Sequence, residues 1–228
     1  MDRADVIILG GGLVGLTLAI ALDRHGLSSI VIDPADPAAI AAPGYDGRTT
    51  AVSSSSWRML QTIGVGAKLD GEGCPIRTIR VSDGLEPGGL VFDPGADEMG
   101  TSDPLGMMFE NRRLRAALRE TALEAKNVTL LMPARAAEIV RDGAGVRVAL
   151  EDSRVVTAPL LVGAEGRNSP TREAAGIAMA RWRYDHAAIV ATIAHEHSHE
   201  NIAYEIFYPA GPFAILPMLP GKIGRAHV

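Results

Sequence analysis

The run from Asp5 to Leu22 constrains this chain more than any other stretch. Asp5-Val6-Ile7-Ile8-Leu9 leads into Gly10-Gly11-Gly12-Leu13-Val14-Gly15, which continues as Leu16-Thr17-Leu18-Ala19-Ile20-Ala21-Leu22. A short β-branched run feeds a glycine turn and leaves as a helix. In that order Gly10 permits a tight turn, Gly12 lets the backbone come up to a pyrophosphate, and Gly15 lets helix and strand pack closely. Leu13 and Val14 occupy the variable positions and open the helix, whose positive N-terminus suits an anion. A second apolar run, Ser29-Ile30-Val31-Ile32, ends at Asp33. That is about 20 residues on, where the pattern needs an acid for a ribose hydroxyl. Strand, turn, helix, strand and acid in sequence predict a dinucleotide-binding unit. The alternative is a glycine-rich turn in an ordinary α/β protein.

Val6 to Leu22 carries no charge, yet it is too short and too glycine-broken for a membrane span. It also lacks the basic n-region and cleavage site of a signal peptide. The 228 residues allow one large or two small domains with ample core. A hydrophobic content of 47% is that of a globular protein. The net charge of −5 offers no basic footprint for nucleic acid. The single cysteine, Cys74, excludes an internal disulfide framework and a zinc site built on several thiolates. Its expected role is that of a small buried side chain, and a reducing cytoplasm is the expected location.

Downstream, Pro34 to Tyr45 reads as a loop. Ser53 to Ile63 is predicted helical, with Trp57, Met59, Leu60 and Ile63 at helical spacing. Ile76 to Val81 alternates as a half-buried strand does, and Leu90 to Phe92 is a short strand inside a Gly- and Pro-rich stretch. Arg112 to Ala125 is predicted as an amphipathic helix with Leu114, Ala117, Leu118 and Ala122 on one face. Four strands should follow, at Val128–Met132, Ala136–Val140, Val146–Leu150 and Val155–Thr157, with a hairpin turn at Asp142-Gly143-Ala144-Gly145. Leu160-Leu161-Val162 enters another glycine turn. Longer strands return at His186–Ile193, Ala203–Tyr208 and Phe213–Leu216. His195, His197 and His199 alternate and would share one face of a strand, but a polar turn is the expected reading and no metal site is assigned.

Three further segments narrow the reading: Tyr45-Asp46-Gly47-Arg48-Thr49-Thr50-Ala51-Val52-Ser53, then Phe109-Glu110-Asn111-Arg112-Arg113-Leu114, then Leu161-Val162-Gly163-Ala164-Glu165-Gly166-Arg167-Asn168-Ser169 with Arg172 beyond. Taken with the N-terminal turn, the chain resembles the class A flavoprotein monooxygenases of the para-hydroxybenzoate hydroxylase fold. More narrowly it resembles the ubiquinone-biosynthesis hydroxylases, a match strengthened by Ala203-Tyr204-Glu205-Ile206-Phe207 and Gly211-Pro212-Phe213-Ala214-Ile215-Leu216-Pro217. The resemblance runs from about Ala4 to Pro217.

It implies an α/β fold: a Rossmann-like FAD-binding domain with an interleaved, mostly β substrate domain, here incomplete. The implied division is 1–75 and 105–178 for FAD binding, 76–104 and 179–222 for part of the substrate domain. The implied cofactor is FAD, held by Gly10, Gly12, Leu13, Val14, Gly15 and Asp33. Arg48 would stand against the flavin, where its planar fork and permanent charge suit a diphosphate or the ring edge. Asn111 and Arg112 open a helix near the pyrophosphate. Glu165 and Gly166 occupy the turn that serves both FAD and NAD(P)H. The family has Asp-Gly there, so Glu165 moves the carboxylate outward by roughly 1.5 Å. Arg172 is expected to brace that turn. No catalytic residue is assigned, since the cofactor carries the chemistry.

The implied activity is hydroxylation of a phenol ring with NAD(P)H and O2. The implied substrate is a lipophilic polyprenylated phenol of ubiquinone biosynthesis, met by a cytoplasmic protein peripheral to the inner face of the membrane or joined to a ubiquinone-synthesis complex. An NAD(P)-dependent dehydrogenase is the first alternative, although Arg48 and the Glu165 turn have no task in it. A nucleotide-binding fragment without turnover is the second. The chain is expected to be incomplete, because the Gly-Asp element that grips the ribityl chain in the family has no counterpart in order here. Ile223-Gly224-Arg225-Ala226-His227-Val228 reads as a non-native tail, residues 223–228, outside the fold.

Overall fold

The apolar run Val6–Leu9 becomes a central strand of a parallel sheet in the computed structural model. The structure describes residues 2–37, 47–95, 103–185, 187–219 and 222–227. Among them the helices are α1 (Leu13–Arg24), α2 (Ser54–Thr62), α3 (Asn111–Glu124) and the short α4 (Pro170–Ala174). The residues fall into two compact units, Met1–Pro43 with Ile63–Val65 and Arg115–Arg181, and Gly44–Thr62 with Gly66–Leu114 and Trp182–Val228.

In the first unit, Val6–Leu9 pairs in parallel with Ser29–Ile32 on one side and Leu160–Gly163 on the other. Val128–Leu131 extends the sheet beyond Ser29–Ile32. Every residue of the first two strands is buried, as expected of a parallel strand covered on both faces. Alternate side chains part to opposite faces. Ile7, Leu9, Ile30, Ile32 and Leu131 join Val148, Leu150 and Val156 of a second sheet in one core. That second sheet runs Asp2–Arg3, Val155–Ala158, Gly145–Leu150, Ala136–Asp142. Its hairpin turns at Gly143-Ala144, where the Ala144 N–H donates to Asp142 Oδ1 at 2.8 Å. Leu16, Ala19 and Ile20 of α1 and Ala117, Leu118 and Ala122 of α3 are buried.

In the second unit, a six-stranded sheet has the order Ile189–Ala194, Lys222–His227, Gly211–Met218, Ile202–Tyr208, Thr78–Asp83, Leu90–Phe92. A three-stranded sheet, Thr49–Ser53, Gly106–Glu110, Cys74–Ile76, packs on it through Cys74, Ile76, Met108, Ala203 and Met218.

The alternating run Ile76–Val81 is not one strand. The chain leaves one sheet at Ile76 and enters the other at Thr78, and the Arg77 N–H between them donates to Asn201 O at 2.9 Å. The change of sheet falls where two polar residues, Arg77 and Thr78, stand side by side in the run. Residues 47–62 and 66–75 sit with the second unit rather than with the nucleotide sheet, because Thr49–Ser53 and Cys74–Ile76 both pair with Gly106–Glu110. The string at 223–228 was expected outside the fold. Lys222–His227 instead pairs antiparallel with both Ile189–Ala194 and Gly211–Met218. Strand pairing uses main-chain groups, so almost any proline-free segment can fill a slot between two strands.

Candidate cofactor site

The glycine turn is held tightly at two points and open at a third. Gly10 has φ +105°, and a Cβ there would lie 2.4 Å from the Ala164 carbonyl oxygen. Its N–H donates to Ile32 O at 2.8 Å, and Ala164 N donates to Leu9 O at 2.6 Å. A Cβ on Gly15 would stand 1.8 Å from Gly10 O, so α1 lies directly against the turn. A Cβ on Gly12 would meet nothing within 4 Å. Gly12 is also the N-cap of α1, with no side-chain hydrogen bond at the cap and no acid in the first turn. A helix start of that kind presents main-chain donors and a positive dipole end. Leu13 is half-buried, and Val14 is 72% exposed.

Asp33 follows the strand Ser29–Ile32. Its Oδ2 accepts from the Gly11 N–H at 2.6 Å and its Oδ1 from the Ala35 N–H at 2.7 Å. The acid therefore ties the glycine turn to the neighbouring strand end. Each carboxylate oxygen retains a second lone pair, enough to accept a ribose hydroxyl. A cleft of about 350 Å³ opens beside it, lined by Gly10, Ile32, Asp33, Arg135, Ile139 and Glu165 among others. Arg135 was not singled out in the sequence. The one signal for it is its place just past Val128–Leu131, at the same strand ends as Asp33, where the Ala134 N–H donates to Asp33 O at 2.8 Å.

Glu165 does not extend into open space. Its Oε2 accepts from Ser169 Oγ and from the Thr171 N–H at 3.3 Å. Ser169, itself buried, accepts from the Arg172 N–H at 3.2 Å and caps α4. Arg172 Nη1 donates to Arg167 O at 2.9 Å, the expected brace across the turn. Gly166 takes φ +80° within it. The longer carboxylate thus fixes its own turn through Oε2, a direction that side-chain length alone did not reveal.

Arg48, Asn111 and Arg112 belong to the second unit, and the other candidates to the first. The Asn111 N–H donates to Arg48 O at 3.0 Å, and Asn111 Oδ1 accepts from Thr50 Oγ1. Arg112 was expected near an anion. Its Nε is paired with Glu110 Oε2. Asn111 lies two residues from Glu110's strand neighbour Phe109, so the pair closes the junction of strand and helix.

Cys74 is fully buried, and loss of hydration pushes its thiol up to about 11. His195, His197 and His199 follow the strand Ile189–Ala194 rather than continuing it. His199 Nδ1 accepts from the Asn201 N–H at 3.0 Å, and its Nε2 lies 3.1 Å from Met218 O. His199 therefore joins the turn to the sheet. His186 lies outside the described residues, as do residues 38–45 of the expected loop and Asp46 beyond it.

Residues 3–225 match the family model described as "FAD binding domain". The ubiquinone hydroxylase UbiL of Rhodospirillum rubrum is 50% identical over 219 residues, covering 96% of this chain and 50% of that protein. The 3-demethoxyubiquinol 3-hydroxylase of Escherichia coli is 33% identical over 94% of this chain and 54% of its own length. The chain spans about half the length of the curated relatives it matches. Among solved structures, pqsL of Pseudomonas aeruginosa, a probable FAD-dependent monooxygenase by its description, aligns with a TM-score of 0.82 at 20% identity. The alignment covers 99% of this chain and 60% of that one. The likeness shows a shared fold.

Proposed function

The chain belongs to the FAD binding domain family, and we propose that it supplies the cofactor-holding part of an aromatic hydroxylase using FAD, NAD(P)H and O2. The observation that carries this reading is the open flank at Gly12, set between an uncapped, acid-free helix start and Asp33. First-turn N–H groups of α1, at Leu13 and Val14, would receive the pyrophosphate, with Gly12 as the point of close approach. Gly10 and Gly15 would hold the turn in shape. Asp33 would accept a ribose hydroxyl on its remaining lone pairs, and the adenine end would take the cleft past Arg135. Glu165 and Ser169 would set the turn from which Gly166 meets the cofactor. Arg48 is assigned to the flavin side, and Asn111 with Arg112 to the far end of the diphosphate.

Bound FAD would supply the redox chemistry and oxygen activation. The chain's own part is to bind, orient and keep water away, and no side chain is assigned as acid or base. The relatives named above are hydroxylases of ubiquinone compounds, which supports a lipophilic polyprenylated phenol as substrate. Among the described residues no helix is long and apolar enough to cross a membrane. The reading adopted is a cytoplasmic protein that meets the inner face of the membrane, or a ubiquinone-synthesis complex, from one side. The coverage of about half of each relative supports a second reading, a flavin-binding unit without turnover by itself. The test is the purified protein's flavin absorbance together with aerobic NAD(P)H consumption. Flavin plus phenol-stimulated consumption with hydroxylated product is the expected result. Flavin without product selects the second reading, and absence of flavin at saturating FAD overturns both.

A further inference from the structure

The strand Val128–Leu131 runs out at Met132, and the Met132 thioether lies against the glycine turn. A Cβ added to Gly11 would stand 2.9 Å from both Sδ and Cε of Met132 and 3.1 Å from Cβ of Asp33. The room beside Gly11 is therefore filled by one methyl thioether and the base of one acid. The Gly11 N–H donates to Asp33 Oδ2 at 2.6 Å. The Ala134 N–H, two residues past Met132, donates to Asp33 O at 2.8 Å. Met132 thus packs where three strand ends of the first unit meet. Methionine fills such gaps as a flexible apolar chain. Unlike leucine, it can be turned in place into a polar one.

We propose that Met132 is a modification site, oxidised to the sulfoxide by hydrogen peroxide, and that this oxidation loosens the Gly11 turn. The sulfur lone pair attacks one peroxide oxygen, an S–O bond forms and the O–O bond breaks. The other oxygen leaves as water with both protons, so sulfur gives up two electrons and the peroxide takes them. Attack needs access. Met132 is half-buried, whereas Met108 and Met218 are each 3% exposed. Met59 and Met179 are more open, but among the described residues Met132 is the one methionine in the nearest surroundings of Gly10, Gly11, Gly12 and Gly15. The added oxygen has to enter the room between Gly11 and Asp33, or the side chain has to leave it. Entry sets the negative end of the sulfoxide dipole beside the Asp33 carboxylate. Departure leaves Gly11 without packing on that side. Both weaken the Gly11–Asp33 hydrogen bond. The consequence for FAD rests on the reading given above, in which the turn carries the cofactor. Hydrogen peroxide is O2 reduced by two electrons, so a site that handles reduced flavin and O2 is exposed to it.

The test treats the whole chain with dilute hydrogen peroxide. Peptide mass spectrometry reads each methionine, amide hydrogen exchange reads Gly11, and titration reads FAD affinity. Met132 should gain one oxygen and exchange at Gly11 should accelerate. FAD should bind roughly tenfold more weakly, the order of one charge-assisted hydrogen bond lost. Methionine sulfoxide reductases A and B together, one for each epimer, should restore both. Met132→Leu keeps the volume and has no sulfur, so peroxide should leave its Gly11 exchange and FAD affinity at their values before treatment. Met59→Leu with Met179→Leu should keep the full response. Three results overturn the proposal: Met132 unoxidised in a sample whose Met59 and Met179 are oxidised, Met132 sulfoxide with unchanged Gly11 exchange, or Met132→Leu responding to peroxide as the parent does. Absence of FAD binding before any peroxide overturns the FAD reading alone, because oxidation and exchange are read without flavin.

Discussion

Replacing Gly12 by alanine separates a binding role from a structural one. Gly12 has φ −79° and ψ −168°, a backbone that alanine adopts without strain. The new Cβ meets no atom within 4 Å. The remaining cost is that of alanine at an N-cap, on the order of 0.5–1 kcal/mol. The protein without cofactor should therefore unfold within about 1 kcal/mol of the parent. Binding should suffer far more, because the methyl stands where the pyrophosphate comes against the helix start. Charge-assisted hydrogen bonds contribute about 1.5–3 kcal/mol each. Losing one lowers FAD affinity by roughly 10- to 100-fold, with 1.4 kcal/mol per tenfold. Gly15→Ala gives the opposite pattern. Its Cβ would lie 1.8 Å from Gly10 O, so α1 and the turn must move apart. Overpacking of that kind costs about 1–3 kcal/mol, offset in part by about 1 kcal/mol of helix propensity. The assay is urea unfolding of the cofactor-free proteins beside equilibrium FAD titration by flavin fluorescence. Gly12→Ala binding FAD within threefold of the parent would refute the assignment of this loop.

Other expectations follow from the same geometry. Asp33→Ala removes the acceptor of the Gly11 and Ala35 N–H groups; hydrogen exchange at Gly11 should accelerate and FAD affinity should fall at least tenfold, about 1.4 kcal/mol. Ser169→Ala deprives Glu165 and the Arg172 N–H of a buried partner, and an unsatisfied buried group costs about 1–3 kcal/mol, to be read as a lowered unfolding midpoint. Glu165→Asp draws the carboxylate back by roughly 1.5 Å and should loosen the same turn, seen as faster exchange at Thr171. Cys74 should resist iodoacetamide in the native state at neutral pH. Its folded thiol sits at about 11 against 9.0 for the free group. The unfolded chain thus loses this proton first, so stability holds below pH 9 and declines as pH climbs from 9 toward 11. Alkaline unfolding curves of the parent and Cys74→Ala should diverge in that window.

The βαβ unit was legible because its signals are local. Gly15 is demanded by a contact five residues back, at Gly10 O, and Gly10 by its own positive φ, and the burial of Val6–Leu9 and Ser29–Ile32 is written in their apolar, largely β-branched side chains. The face of α3 was legible for the same reason, with Leu114, Ala117, Leu118 and Ala122 all buried. What the sequence did not reveal depends on distant partners. Thr49–Ser53 is a strand through its pairing with Gly106–Glu110, a partner more than 50 residues away. The break at Arg77 shows in the sequence only as two polar residues in a row, Arg77 and Thr78. Glu165 stands in a recognisable turn, and only the position of Ser169 shows where its Oε2 goes. The pairing of Arg112 with Glu110 at the start of α3 is likewise a matter of packing that spacing does not show.

The central claim is that the first unit holds the adenosine diphosphate end of FAD on the Gly10–Gly15 turn and Asp33. Competition at a single site tests it most directly. FAD is titrated into the protein, and the complex is then challenged with ADP or with FMN, each of which carries one half of the cofactor. The account predicts saturable binding of one FAD per chain, displaced by ADP and untouched by equal FMN, with Gly12→Ala weakening FAD and ADP alike. Displacement by FMN but not ADP, or no saturable binding of FAD at all, would contradict it.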